Sequence, residues 1–485
     1  MASMNRPAGS LDISSALAPY SGPWNDRMAA HLLRRAGFGG SPQAIADMRS
    51  LSPHGAVESL IHFTSDTTPP PSADLFDPRL QYGPGNMMRL RGMDATQRKE
   101  TLKGLRKEAR QATVALQRWW LNKMLTTRAP LQEKMAFYFH GHFTTAAMQK
   151  GVFPDYVFNQ NQLFRSYALG NLRELTRNVS KDPAMLIYLD NARSQKAHPN
   201  ENYARELMEL FTLGHGNYTE EDIRQSARAF TGWTIAPRTG AFETNARQHD
   251  DGSKTFLGQT GNFTGDDIVN IIFQQPACSK FFANSLLSFF VYDDPEPALV
   301  DAVANSLRKH NFELAPVLSL ILNSNVFFSD RAYRARVKSP VEFVVGAYNT
   351  FGLTEIDDSA QRGLVQMGQV LFYPPNVAGW PGGQNWLTSQ MLIARENFAT
   401  ALVNSQMMTQ SPWLTKVPLN VKQATQDLIT NILHGDASSA AVAQLQDYMN
   451  GANTSALGMF SGENYQERVR GAAYLSMAMP AYQLN

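Results

Sequence analysis

The chain has 485 residues, of which 43% are hydrophobic and 10% aromatic, so it is large and apolar enough to fold around a substantial core. Its 44 Lys and Arg residues nearly balance its 42 Asp and Glu residues, which argues against nucleic acid as a partner. The single cysteine, Cys278, excludes an intramolecular disulfide and a cysteine-rich metal cluster.

Hydropathy along the chain indicates whether it contains a transmembrane segment or a signal peptide. No run approaches the roughly 18 consecutive apolar residues of a spanning helix. Residues 1–23 have no apolar stretch of the signal-peptide type. We therefore expect neither a transmembrane segment nor a signal peptide in this chain.

Helical signals dominate from the start. Residues 24–36 have apolar positions at helical spacing and stop at a Gly-Phe-Gly sequence, after which Ser41 and Pro42 begin another helix. Residues 64–96 are rich in Pro, Asp and Gly and predict a long excursion. Residues 98–124 predict one long helix, charged in its first half and apolar in its second.

The middle of the chain is also mostly helical. Residues 130–139 predict a helix, residues 155–191 predict a further helical block, and residues 219–222 have a capping pattern that starts the next helix. Residues 233–262 combine β-forming residues with Gly, Asn and Asp. They predict a small β-hairpin or ordered loop inserted in a helical protein.

Together these patterns predict a mainly α protein, a multi-helical globular bundle with one small β insertion. We divide it into an N-terminal tail over residues 1–23, an integrated helical core over 24–434 and a C-terminal helical segment over 435–485. That last segment is expected to pack on the core.

The stretch from residue 200 to 214 contains the first candidate site. On a helix its polar side chains share an arc of about 100°, while the other faces are apolar, as in a buried helix. These polar residues are Asn202, Arg205, Glu206 and Glu209. Neighbouring carboxylates repel unless a cation compensates, and Arg205 or Arg228 can supply it. Such a pair acts either as an acid and a base in a cavity or as part of a structural ion network.

His140 and His142 form the second candidate site. Histidines two residues apart share a face in an extended segment but not in a helix. In a strand or at a helix end both imidazoles can reach one divalent metal ion, and core or capping roles are the alternative. The candidates for a third ligand are Glu206, Glu209, His249, Asp250 and Asp251.

Two loops complete the candidates. The segment from His249 to Lys254 holds a base, acids and a cation within six residues, although Asp and Gly also simply make turns. The Pro- and Gly-stiffened segment 373–386 contains Trp380. It predicts a stacking platform for a sugar or another flat ligand, or a plug at the end of the bundle. Lipase, kinase and dehydrogenase sequence motifs are missing.

Six motifs in fixed order resemble the large bacterial family called domain of unknown function 1800. They are His31–Gly39, His140–Phe143, Asn200–Leu210, Ala227–Trp233, His249–Asp251 and Pro375–Trp380. The resemblance extends over nearly the whole chain. It implies a bacterial, largely helical and frequently exported protein, often encoded beside a protein related to sulfatases and phosphatases, which would be a partner. The family usually has Trp-His-Asn-His-Phe at this motif, whereas this chain has Phe139 in place of the Trp and Gly141 in place of the Asn.

Two functions stand as alternatives. The first is an acid/base or metal-assisted hydrolase that acts on a polymer such as a polysaccharide, with one divalent metal ion as a cofactor. Its polar cleft would contain the metal ligands His140 and His142, the catalytic residues Glu206, Glu209, His249 and Asp250, and the substrate-binding residues Asn202, Arg205, Arg228, Lys254 and Trp380. The second is a non-catalytic helical scaffold that binds an exported partner or a glycan.

Overall fold

The computed structural model describes residues 12–65, 90, 92–451 and 464–485. The predicted tail over 1–23, the excursion over 64–96 and the segment over 435–485 thus lie partly outside the described residues. In the described part the protein is mainly α, as predicted, with 21 α-helices and two small antiparallel sheets. The division into tail, core and C-terminal segment stays a prediction.

The first helices begin where the sequence supplies caps. Ser41 Oγ accepts a hydrogen bond from the backbone N–H of Ala44 at 3.2 Å, and Pro42 occupies the first helical position. The long helix predicted over 98–124 is confirmed. The first five helices are α1 (Ile13–Ala16), α2 (Asp26–Ala36), α3 (Pro42–Ser50), α4 (Pro53–Ile61) and α5 (Ala95–Thr126).

The next helices surround the His-Gly-His sequence. The helix that starts at Pro130 continues to His142, beyond its predicted end, because one Gly inside a helix costs only about 1 kcal/mol. The predicted block over 155–191 consists of three α-helices, the last of them capped by Asp182. These helices are α6 (Pro130–His142), α7 (Pro154–Ser166), α8 (Leu172–Lys181) and α9 (Pro183–Tyr188), followed by a 3₁₀ turn (Asn191–Arg193).

The segment from residue 200 to 214 is a helix of two kinds. An α-helical part, α10 (Glu201–Glu206), continues as a π-helical turn (Leu207–Thr212). The next helix, α11 (Glu220–Ala229), starts with the predicted cap. Thr219 Oγ1 accepts from the N–H of Asp222 at 3.1 Å, and the Asp222 carboxylate accepts from the N–H of Thr219 at 2.8 Å.

The β insertion consists of two hairpins rather than one. Strand β1 (Trp233–Ile235) pairs antiparallel with β2 (Phe242–Thr244), and β3 (Lys254–Phe256) pairs antiparallel with β4 (Gln259–Gly261). The hairpins lie between α11 and α12, and β3 packs against α11.

The rest of the chain is helical. It comprises α12 (Gly265–Gln274), α13 (Pro276–Phe290), α14 (Pro297–Lys309), α15 (Leu314–Leu322), α16 (Pro340–Thr350), α17 (Asp358–Gln366), α18 (Ser389–Val403), α19 (Val421–Leu428), α20 (Ser439–Met449) and α21 (Tyr465–Ala478). Short turns of 3₁₀ helix (Gly383–Leu387, Gln406–Gln410, Leu414–Lys416, Pro480–Gln483) and one π turn (Ile429–Leu433) connect them.

One main cluster of buried apolar side chains extends from Ala16 to Tyr482 and includes side chains of both the N-terminal and the C-terminal helices. In the C-terminal part, α21 packs against α18, α19 and α20. None of the described helices is long and apolar enough to cross a membrane.

Candidate functional site

The two histidines of the His-Gly-His sequence point in different directions. Both lie in α6, where side chains two positions apart diverge by about 200°. The extended segment in which both imidazoles would share one face is therefore not formed. The helix continues through His140 and ends at His142.

His140 is a buried structural residue. Its Nε2 accepts a hydrogen bond from the backbone N–H of Phe372 at 3.0 Å, so the lone pair of that nitrogen is occupied. Its ring lies 5.1 Å from the ring of Trp120 and 5.3 Å from that of Trp380. Burial lowers the pKa of His140 to about 3, so the imidazole is neutral at pH 7. His140 thereby fastens the loop before Trp380 to α6.

His142 contacts the other side of the structure. Its Nε2–H donates to the backbone carbonyl of Phe211, in the π turn after α10, at 2.8 Å. Its ring stacks on Tyr138 at 5.7 Å and lies 5.8 Å from Phe281. Burial among these rings lowers the pKa of His142 to about 4. His142 is thus neutral at pH 7, and its Nδ1 is the nitrogen that keeps a lone pair.

The convergence of histidines and carboxylates expected for a metal site is not formed. Within the described ranges, no group of three or more His, Cys, Asp or Glu side chains is arranged to hold a metal ion. His140 and His142 are engaged with Phe372 and Phe211 instead.

The π turn is the most unusual backbone feature of the candidate stripe. The N–H of Leu213 donates to the carbonyl of Met208, five residues earlier, at 2.8 Å. Thr212 Oγ1 likewise donates to the carbonyl of Leu207 at 2.5 Å. Such π turns are rare and often occur at functional sites. Here the turn places the carbonyl of Phe211 where His142 binds it.

The arginines expected to neutralise Glu206 and Glu209 have other partners. Arg205 forms two 2.8 Å hydrogen bonds with the carboxylate of Glu220 at the start of α11. Arg228 binds Asp250 at 2.7 and 3.1 Å. Each arginine thus hydrogen-bonds a carboxylate of another element, while the charge of Arg205 still partly offsets the rise in the pKa of Glu206.

Glu206 and Glu209 remain neighbours on the protein surface. Glu209 accepts a hydrogen bond from the Tyr218 hydroxyl at 2.6 Å, and His215 Nε2 lies 3.4 Å from its carboxylate. Glu206 is partly exposed, and burial together with the charge of Glu209 raises its pKa. Asn202 is exposed. The stripe is therefore a half-buried carboxylate pair capped by a tyrosine.

Hydrogen bonds within the loop and to neighbouring residues fix the segment from His249 to Lys254. His249 Nδ1–H donates to the carbonyl of Thr231 at 2.8 Å, and Asp251 Oδ1 lies 4.0 Å from its Nε2. The hydrogen bond from Arg228 lowers the pKa of Asp250. The Lys254 ammonium is 1% exposed and donates to the carbonyls of Asp250 and Gly252 at 2.5 and 2.9 Å. These contacts shape the loop and leave Lys254 turned away from solvent.

A groove of about 580 Å³ opens beside His142, on the face of α6 that Gly141 exposes. Its walls come from α6, α13, the segment before α16 and the loop that carries Trp380. The aromatic lining residues are Tyr138, Phe281, Phe289, Trp380 and Trp386. The polar lining residues include Asn284, Ser285, Ser288, Asp293, Arg336 and Gln369.

Charges in the groove nearly cancel. Glu342 at its floor forms a buried ion pair with Lys134. Burial alone would raise the pKa of Glu342, but Lys134 and Arg336 outweigh it and lower the pKa to about 2. The exposed Asp293 lies 4.0 Å from Arg336. The groove is thus aromatic and hydrogen-bonding without a strong net charge.

The Trp380 loop meets α6 through two glycines. Gly379 has φ +82°, and a Cβ there would lie 2.6 Å from the carbonyl oxygen of Gly141, so only glycine fits. A Cβ on Gly141 would meet nothing within 4 Å. The departure from the usual Asn at position 141 therefore leaves open space in the groove.

Sequence reasoning identified one wall of this groove and missed another. The Trp380 loop and His142 were candidates, whereas Asn284, Ser285 and Ser288 were not. Their signal is a group of polar residues within the mostly apolar helix α13 (Pro276–Phe290), which indicates a face that meets solvent or a cavity.

A comparison of sequences with family models decides the family. The model described as "Protein of unknown function (DUF1800)" matches residues 31–484, nearly the whole chain. The chain belongs to the DUF1800 family. No curated protein and no solved structure matches it. Two of the six motifs contribute to the groove of this DUF1800 chain. The motif His140–Phe143 provides Gly141 and His142, and the motif Pro375–Trp380 provides Trp380.

Proposed function

We propose that this DUF1800 protein binds a neutral glycan in the groove between α6, α13 and the Trp380 loop. The observation that carries the proposal is the composition of the groove. Aromatic rings together with hydroxyl and amide side chains line a space of about 580 Å³. That volume is within the range of about 300–1,000 Å³ that is typical of small-molecule sites.

The chemistry of a sugar suits such a lining. One face of a pyranose presents C–H groups, which pack on the electron-rich face of an aromatic ring. Its edge presents hydroxyls, which need hydrogen-bonding partners when they leave water. Trp380 and Trp386 supply rings, and Asn284 and Ser288 on α13 supply polar groups.

The near-neutral charge of the groove favours a neutral polymer over an acidic one. Glu342 is already paired with Lys134, and Asp293 is close to Arg336. Among the described residues that line the groove, the only Lys or Arg is Arg336, which lies near Asp293, so no free cation there selects an acidic sugar.

The enzymatic alternative rests on Glu206. Its carboxylate is half-buried, its pKa is raised and it adjoins Glu209, as an acid–base pair requires. Glu206 and Glu209 do not line the groove described above, so glycan binding is the better-supported proposal. Incubation of the protein with each polysaccharide and measurement of released reducing ends tests hydrolysis. Activity that Glu206→Gln leaves intact would exclude this carboxylate as the catalytic group.

Electrophoresis in gels that contain soluble polysaccharides tests the binding proposal. We expect wild-type protein to be retarded by at least one neutral polymer among a β-glucan, an α-glucan and a xylan, and less by an acidic uronan. Trp380→Ala should weaken retention about tenfold because the stacking surface is lost, whereas Trp380→Phe should keep most of it.

Trp413 provides the matched control. It is partly buried like Trp380, stacks on Phe351 at 5.8 Å and lies outside the groove. Trp413→Ala should retain glycan binding whatever it does to stability. Retardation by none of the polymers, or equal retardation of wild-type protein and Trp380→Ala, would contradict the proposal.

A further inference from the structure

A small cavity beside the groove is surrounded by buried cations. It shares Glu342 with the groove but lies on the side of α2 and the C-terminal residues. The space available to the centre of a water-sized sphere is about 10 Å³, roughly the room for one water molecule. Its charged and polar walls are Arg34, Arg334, Lys338, Glu342, His434 and Asn485.

Arg34 is the least satisfied of these side chains. It is 4% exposed, and its Nε, Nη1 and Nη2 have no hydrogen-bond partner among the described residues. Its guanidinium lies 5.5 Å from the centre of the Tyr333 ring. By contrast, Arg35 on the same helix donates to the carbonyls of Val291 and Ala332 at 2.5 and 2.7 Å. Arg35 Nε and Nη1 also lack a partner, but Arg34 has no hydrogen bond from any of its three guanidinium nitrogens.

The nearby carboxylates are already engaged. Glu342 is paired with Lys134, and Asp436 is paired with Arg334 at 2.5 Å and Arg27 at 3.2 Å. Asp436 also accepts a hydrogen bond from the Tyr333 hydroxyl.

A second cation in the cavity wall also lacks a carboxylate. Lys338 is 5% exposed, and its ammonium lies over the Tyr482 ring, 3.7 Å from the centroid. Among the described residues, neither Arg34 nor Lys338 thus forms a salt bridge with a carboxylate, although Asp436 attracts Arg34 and Glu342 attracts Lys338 from a greater distance. An uncompensated buried charge is costly, so the arrangement calls for a counter-ion.

The pKa directions identify Arg34 as the group of this cavity that keeps its positive charge. Burial and the neighbouring Arg334 lower the pKa of Arg34 only to about 10, so its guanidinium is charged at pH 7. Burial and these same arginines lower the pKa of Lys338 and of His434 well below their ordinary values. His434 is therefore neutral, and Arg34 is the cation that most needs a partner.

We infer that this cavity binds one monatomic anion of the size of chloride, held by the guanidinium of Arg34 with Lys338 opposite. The Asn485 Nδ2, a buried donor without a partner, also lines the cavity. The size of the cavity favours a single atom, because sulfate and phosphate are several times larger than a water molecule. An ion in this position would link α2 to the segment before α16 and to the C-terminal residues.

Thermal unfolding at constant ionic strength tests the inference on the full chain. Replacement of sodium gluconate by sodium chloride should raise the Tm of wild-type protein in a saturable manner. At chloride a hundredfold above its Kd the shift should be about 2–3 °C. In Arg34→Met, which keeps the length of the side chain without its charge, the difference between chloride and gluconate should vanish.

Arg35→Met is the matched control, because Arg35 is buried on the same helix and donates to two carbonyls but does not line the cavity. It should lower the Tm equally in both salts and keep the chloride effect. Sulfate stabilises many proteins because it is excluded from their surface, so its effect on Tm is compared between wild-type protein and Arg34→Met. If sulfate changes the Tm of the two proteins equally, the inference is supported. If the effect of sulfate on Tm depends on Arg34 more strongly than the effect of chloride does, the inference is wrong.

Chloride itself provides a second readout that does not depend on the stability of a variant. Binding to wild-type protein should broaden the ³⁵Cl NMR line, and bromide should compete. If wild-type protein neither broadens the line nor responds to chloride in Tm, the cavity holds water only and the inference is wrong.

Discussion

At the scale of single residues, buried carboxylates determine how stability depends on pH. Asp182, the N-cap of α9, is 6% exposed and accepts hydrogen bonds from Gln160 at 3.1 Å and from the N–H of Ala184 at 3.1 Å. Burial outweighs these bonds and raises its pKa from 3.8 to about 7. Between these two values the native state binds more protons than the unfolded state, so stability falls as pH rises.

Asp182→Asn should therefore stabilise the protein above pH 7, with an upper bound of about 4 kcal/mol. Asparagine can still cap the helix, and it carries no charge to bury. The gain over wild-type protein, measured by urea unfolding, should shrink steadily as pH falls from 7 to 4. A gain that is independent of pH would show that Asp182 does not titrate in this range.

Asp357, the N-cap of α17, is the control of opposite sign. Burial would raise its pKa, but hydrogen bonds from Ser359 and Tyr348 outweigh burial and lower it. Its contribution to stability is present above pH 3.8 and is lost as pH falls through its native pKa. Asp357→Asn should destabilise the protein at pH 7.

At the scale of elements, one buried network joins the three helices behind His140. The Glu133 carboxylate on α6 accepts from Arg165 on α7 at 2.6 and 2.8 Å and from Trp120 Nε1 on α5 at 2.9 Å. Trp120 in turn packs against His140. The network thereby fixes the helix that forms one wall of the groove.

Glu133→Gln should lower the free energy of unfolding by about 3–5 kcal/mol, because it leaves the guanidinium of Arg165 buried and unpaired. Guanidinium chloride unfolding measures the loss. Glu221→Gln removes an exposed ion pair with Arg224 and should have no measurable effect. If the two substitutions behave alike, the buried network does not hold the helices together.

Local signals in the sequence predicted helix ends better than they predicted side-chain partners. Ser41 with Pro42 and the cap at Thr219 depend only on neighbouring residues, and both form as expected. The partner of Arg205 is Glu220 on another helix, which only the packing of α10 against α11 decides. The helix α6 continues through Gly141, so that the two histidines point in different directions.

At the scale of the whole molecule, the groove combines parts of the chain that are far apart in sequence. α6 provides His142, α13 provides Asn284 and Ser288, and the loop near residue 380 provides two tryptophans. The aromatic loop could be recognised from its composition. The contact between this loop and α13 could not be predicted, because the two are far apart in the chain and no local pattern encodes which elements become neighbours. The candidate carboxylates Glu206 and Glu209 are not among the residues that line this groove.

The most direct test of glycan binding in the groove fills it without removing any aromatic side chain. Gly141→Gln places a side chain in open space, and Gly104→Gln does the same on the exposed part of α5. Both substitutions should stabilise their helices by roughly 0.5–1 kcal/mol. Only Gly141→Gln should weaken binding to the polysaccharide that wild-type protein retains most strongly, by tenfold or more in affinity electrophoresis. Equal affinities for the two variants would contradict glycan binding in the groove.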